Sequence, residues 1–229
     1  MKALSFLPWY DWLALVWFFG LWLGYAAYSR DSQRATLLQT TNRYRRYWMV
    51  QATARNPRML DGIITQGLAS SPSFFASTTI LIIGGLLALL GATDKVADVM
   101  GEIPFAVRTS AQVFDLKVLL LTGIFIYAFF RFTWSMRQYT FAALVIGSMP
   151  DPEDFASGKY DRKHFADRAG KMLGMAAETF NDGLRAYYMS FAATAWVFST
   201  MAFALAAAAV IFILFRREFH SEVLHVLRD

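Results

Sequence analysis

The chain contains no cysteine. That removes disulfides, thiolate-held metals, iron–sulfur clusters and cysteine nucleophiles from consideration. Histidine is scarce too: His164, His220 and His225 are the only three, none lies in an apolar run, and so none is placed to hold a haem between spans. His220 and His225 are five apart, which does not put them on one helical face, and no metal is expected there. Charge is the third shortage. Only 17% of residues are Asp, Glu, Lys or Arg, against about a quarter in soluble domains.

What fills the 229 residues is apolar: 56% are hydrophobic and 17% aromatic, more than a small soluble core hides. The excess is gathered in runs long enough to cross a bilayer. The expected fold is an all-α integral membrane protein, one membrane domain over residues 1–229. Four transmembrane helices are expected at about 10–28, 73–91, 116–134 and 188–215, and two amphipathic cytoplasmic helical segments at 29–71 and 135–187. The net charge of +5 flanks these runs, as in membrane proteins that orient by charge; nucleic acid is not an expected partner.

Orientation follows from where the basic residues fall. Segment 29–71 carries Arg30, Arg34, Arg43, Arg45, Arg46, Arg55 and Arg58, and segment 135–187 carries Arg137, Lys159, Arg162, Lys163, Arg168, Lys171 and Arg185. The intervening loop, 92–117, has Lys95, Arg108 and Lys117. The positive-inside rule puts both long segments in the cytoplasm and both termini outside, which points to a bacterial cytoplasmic (inner) membrane protein. Arg216 and Arg217 run mildly against the outside C-terminus.

Local signals refine the spans. Leu37, Thr41, Tyr44 and Trp48 share one helical face next to Arg43 and Arg46, an interfacial pattern. Asn56-Pro57 breaks that helix, and a short helix is expected from about Arg58 to Leu68. Ser70-Ser71-Pro72 reads as a helix start for the second span. From Lys163 to Tyr188, an apolar stripe holds Phe165, Ala169, Leu173, Ala176, Phe180 and Tyr187, with Asp167, Lys171 and Asp182 pointing elsewhere.

Candidate chemistry is sparse. Asp11, Asp115, Lys117 and Arg131 sit near span ends, where long side chains reach the interface, and this argues against ion-coupled transport. The hydroxyl cluster around Ser73, Ser77 and Thr78 fits either a pore lining or close helix packing. The aromatic first span, from Trp9 to Tyr28, is read as interfacial anchoring and lipid contact rather than a pigment or quinone site; no cofactor is expected. Arg43, Arg45 and Arg46 beside aromatics fit anionic lipid headgroups, or orientation alone.

Three stretches carry a family resemblance. They are Arg45-Arg46-Tyr47-Trp48 with Gln51 and Arg55-Asn56; Ala76-Ser77-Thr78-Thr79-Ile80; and Phe180-Asn181-Asp182-Gly183-Leu184-Arg185-Ala186-Tyr187-Tyr188. Together, over about residues 10–217, the chain resembles the DUF599 family of uncharacterised membrane proteins found in bacteria and plants. The resemblance implies four spans and no established activity. The family pattern implies a continuous helix where this chain has Asn56-Pro57. Arg46, Trp48, Arg55, Asn56, Asn181 and Arg185 match it at the cytoplasmic interface, and are expected to bind an anion, a lipid or a protein partner.

No span offers a nucleophile–base pair or a metal set, so no enzyme is expected. The expected function is an oligomeric, channel-like conduit for a small solute, with an accessory or scaffold subunit of a membrane complex as the alternative. Expected partners are membrane lipids and either further copies of the chain or a membrane protein complex.

Overall fold

The computed structural model describes residues 7–32, 36–92 and 110–228, and among these every regular element is a helix. Eight are present: α1 (Trp9–Asp31), α2 (Leu37–Ala52), α3 (Met59–Leu90), α4 (Ala111–Gly147), α5 (Pro152–Ala156), α6 (Arg162–Ala195), α7 (Thr200–His220) and α8 (Glu222–Val226). Four stretches are long and apolar enough to cross a membrane: α1, α3, α4 and Thr200–Val226. Most of the expected loop at 92–117, residues 93–109, lies outside the described residues.

Three boundaries differ from expectation. α3 does not start at Ser70-Ser71-Pro72, nor is there a separate short helix before it; one helix runs through Pro72. Proline removes one backbone donor and leaves the Leu68 carbonyl without its helical partner, a loss that apolar helices tolerate. The run expected as a span over 188–215 is not one helix. α6 ends at Ala195, residues 196–199 turn, and α7 begins at Thr200. Bonds from the amides of Trp196, Val197 and Phe198 back three residues tighten the turn, and Ser199 Oγ accepts the Ala202 amide at 3.0 Å, capping α7. Between α4 and α6 the chain forms the short α5 and turns at Gly158, whose φ of +77° suits glycine.

The chain divides into two compact units. The first contains Met1–Arg34, Thr78–Ala128 and Leu184–Arg217. In it α1 and α7 run in the same direction: Phe18 meets Phe203 with ring centroids 5.0 Å apart, Trp17 Nε1 donates to Ala204 O at 3.3 Å, and Tyr28 meets Phe215 at 6.3 Å. The end of α6 returns against α7, with Arg217 donating to the Tyr188 hydroxyl at 3.0 Å. The segment Leu184–Ala195 and α7 therefore form a helical hairpin whose turn lies at the start of α1.

The second unit contains Ala35–Ser77, Phe129–Gly183 and Glu218–Asp229. Its core gathers Met49 and Ala52 of α2, Tyr139, Ala142 and Ile146 of α4, and Ala166, Ala169, Leu173 and Ala176 of α6. The α6 stripe read from the sequence thus faces inward. On α2 the buried residues are Thr40, Met49 and Ala52, while Tyr44 lies exposed and its hydroxyl donates to Leu227 O at 3.2 Å. Close approaches set the spacing. A Cβ on Gly170 would sit 2.9 Å from Arg46 Cγ, so α2 crosses α6 where a side chain is missing. A Cβ on Gly183 would sit 2.5 Å from the Phe132 ring, which is buried and wedged between Phe75 and Phe180, its centroid 5.2 and 5.6 Å from theirs.

Phe132 has nowhere to move, so Gly183→Ala overpacks the unit at about 1–3 kcal/mol, more than the ~1 kcal/mol gained in helix propensity. Thermal unfolding of the detergent-purified variant is expected at a lower midpoint than wild type. Gly84→Ala, with nothing within 4 Å, is expected to cause no loss.

Candidate functional site

Two polar clusters stand out, one in each unit. In the second unit the chain between α2 and α3 bends through Thr53–Arg58, where the Asn56–Pro57 peptide is cis. Asp61, one turn into α3, is fully buried. Its Oδ1 accepts from Trp48 Nε1 at 2.7 Å and from the Arg55 guanidinium at 2.6 Å. Trp48 and Arg55, both expected from the sequence, are thus brought together by an acid the sequence reading passed over. The available signal was an acid inside the apolar run Met59-Leu60-Asp61-Gly62-Ile63-Ile64, where a charge persists only with a purpose.

Arg58 closes the bend. Its Nε donates to Ala52 O at 3.1 Å, and its two terminal nitrogens donate to Met149 O and Pro150 O at 3.0 and 2.5 Å. The end of α2 and the chain just past α4 both leave carbonyls without helical partners, and one guanidinium takes them. Asn56 Nδ2 reaches Asp151 Oδ1 at 3.3 Å. Beside them α3 and α4 leave an open cavity of about 290 Å³, lined by Asn56, Pro57, Arg58, Gly62, Thr65, Ala143, Ile146 and Gly147.

The remaining expected residues separate. Arg46 is exposed and lies 3.7 Å from Asp167, whose carboxyl is held below the usual carboxylate range chiefly by its hydrogen bond from Lys171. Arg45 turns inward to Thr41 Oγ1 and Asn42 Oδ1 at 3.1 and 2.7 Å, and burial lowers its guanidinium from the ordinary value. Asn181 is half-buried on α6. Arg185 falls in the first unit, buried, with its guanidinium 5.6 Å from the Tyr25 ring centroid. Arg55 lies in the second unit and Arg185 in the first, each with partners of its own. Ser73 and Ser77 are exposed on α3, Ser77 Oγ bonding Ser73 O at 3.1 Å, and Thr78 is half-buried. Asp182, expected to point outward, is buried and paired with Arg131.

The first unit's cluster was not foreseen. Asp11 and Lys117, expected to reach the interface, are both buried within the protein. Asp11 Oδ1 accepts from Trp196 Nε1 at 2.8 Å and from the Thr200 hydroxyl. The Lys117 ammonium lies 5.6 Å from the Trp196 ring centroid, near enough to Asp11 for the charges to interact. Carboxylate, indole, hydroxyl and ammonium thus meet where α7 begins, and the partial positive charge of that helix end favours the carboxylate.

Helices long and apolar enough to cross a membrane four times over, tied by buried polar contacts, define a membrane-type helical protein. The chain matches the family model described as "Protein of unknown function, DUF599" over residues 13–223, and it belongs to that family. No curated protein and no solved structure matches it. The resemblance carried by the three sequence stretches is borne out.

The Asp61 contacts make a prediction. Asp61→Asn keeps an acceptor for Trp48 but loses the charged bond to Arg55, worth about 1.5–3 kcal/mol for a bond to a charged group and toward the low end here because Arg55 is partly exposed. A lower thermal midpoint is expected. Asp61→Ala, which also strands the Trp48 N–H, is expected to fall further.

Proposed function

We propose that this is a non-enzymatic integral membrane protein whose copies associate along α3 to form a conduit for a small solute. The observation that supports this reading most directly is the outward face of α3. Gln66, Ser70, Ser73 and Ser77 are spaced to share one side of the helix, and all four are exposed. α3 is also the least buried of the four candidate spans. Hydroxyls and an amide facing hydrocarbon are unfavourable, whereas small polar residues suit close contact with another helix or the lining of a wet path. Ser70 and Ser77 already bond carbonyls of their own helix, so they tolerate lipid during insertion and remain available as acceptors after assembly.

The same reading revises orientation. α1 and α7 run in the same direction, so an N-terminus outside goes with a C-terminus inside. The end of α6 adds a fifth traverse to the four apolar ones, and Arg216 and Arg217 then join the other basic segments on the cytoplasmic side, as the positive-inside rule prefers.

The absence of cysteine makes both points directly testable. In intact cells, Trp9→Cys is expected to react with a membrane-impermeant maleimide and Val226→Cys to be protected until the cells are opened; labelling of both would refute the revised topology. In membranes under mild oxidation, Ser73→Cys and Ser77→Cys are expected to yield disulfide-linked dimers, and Phe212→Cys on α7 is not. Vesicles reconstituted with Ser77→Trp are expected to pass small solutes more slowly than wild type. Absence of cross-linked dimers at both serines would end the self-association reading.

A further inference from the structure

The faces of α2 are arranged the wrong way round for a helix in water. Its inner side carries Asn42 and Arg45 among Met49 and Ala52, with Arg45 bonding within the helix. Its outer side is centred on Arg43, Tyr47 and Val50, of which Tyr47 is 59% exposed; at its edges lie Arg46, exposed but packed by its stem against Gly170, and Tyr44, 46% exposed with its hydroxyl donating to Leu227 O. Tyrosines and a valine between arginines are the composition of a surface that is apolar in body and cationic at its tips. Met59 and Leu60, at the start of α3 in the same unit, are also exposed.

The charges on that side are available. Arg43 has no ion pair among the described residues, and Arg46 meets Asp167 only at 3.7 Å, with both side chains well exposed. α2 also begins six residues after the last residue of α1, a candidate span. A basic segment this close along the chain to a span lies within the reach of the headgroup region, where each arginine is attracted to anionic lipid.

We propose that the outer face of α2 binds the headgroups of anionic phospholipids, with Tyr47 and Val50 entering the interface and Arg43, with Arg46 at the edge of the face, holding the phosphates. A partner protein on the same face would need acids to meet these two arginines; a bilayer leaflet supplies the negative charge and the apolar layer together. The proposal rests on the membrane reading and not on self-association along α3.

The test uses the full chain reconstituted in phosphatidylcholine vesicles carrying spin-labelled phosphatidylglycerol or spin-labelled phosphatidylcholine. The fraction of each probe immobilised at the protein is read by electron paramagnetic resonance. Wild type is expected to prefer phosphatidylglycerol, and the preference to weaken in high salt. R43Q/R46Q is expected to lose up to about fivefold in preference per charge removed, R43K/R46K to retain most of it, and Arg137→Gln, an exposed arginine on α4, to leave it unchanged. No phosphatidylglycerol preference in wild type, as expected if a protein covers this face, would overturn the proposal. So would equal loss in Arg137→Gln, or an R43Q/R46Q variant that elutes as wild type and keeps its preference. A quenched preference that R43K/R46K fails to restore would also count against it.

Discussion

A buried carboxylate must be met by donors or it does not stay charged, and Asp11 imposes that condition on the whole first unit. Trp196 and Thr200 supply the donors. These residues flank the turn between α6 and α7, so meeting the carboxylate's demand draws the turn to the start of α1. Once the turn is there, α7 has only one direction to run, alongside α1, and the aromatic contacts of Phe18 with Phe203 and Tyr28 with Phe215 follow in register. Lys117 brings α4 to the same point over the Trp196 ring. One acid near the end of an apolar run thus fixes the polarity of a hairpin.

The second unit uses the same device with other residues. Asp61 gathers Trp48 and Arg55, and Arg58 gathers the last carbonyls of α2 and of the chain after α4. Arg131 and Asp182 tie α4 to α6. Each tie joins segments far apart in sequence or closes a bend between helices. Between ties the helices meet through rings and through missing side chains, as at Gly183 and Gly170. Apolar contact gives affinity between helices but little register; the sparse charges supply the register.

This division explains what could be read from the sequence and what could not. The spans were legible because they depend on length and apolarity, and the bend at Asn56-Pro57 because proline restricts its predecessor. The turn at Trp196–Ser199 was not, since it contains neither glycine nor proline. The clue was length: a pattern running from Lys163 to Phe215 is far longer than an ordinary helix, and Ser199 is a good cap in its middle. Continuity through Pro72 is hidden for the opposite reason: Ser70-Ser71-Pro72 has the form of a helix start yet lies inside one helix. For the sites, Trp48 and Arg55 were visible but their acid was not sought. Asp11 and Lys117 near span ends, and Asp182 in an amphipathic segment, are buried because of which helices surround them, and a residue's position along the sequence does not reveal that.

Where the polar atoms lie also bears on where a path would run. In the second unit Asp61 Oδ2, Arg131 Nε and Gln138 Oε1 are buried without a protein partner, and polar atoms in that condition ordinarily hold water. No buried side-chain atom of the first unit is in that condition among the described residues. Its hydroxyls are taken: Thr79 by Tyr187, Thr122 by Val118 O, Ser190 by Tyr187 O. A route for a polar solute through the first unit would have to part Thr79 from Tyr187 and Asp11 from Trp196 and Thr200, contacts that join its helices. A route between chains along the outer face of α3 breaks none of them. The same economy that makes the interior of the first unit a good scaffold makes it a poor place for a polar path.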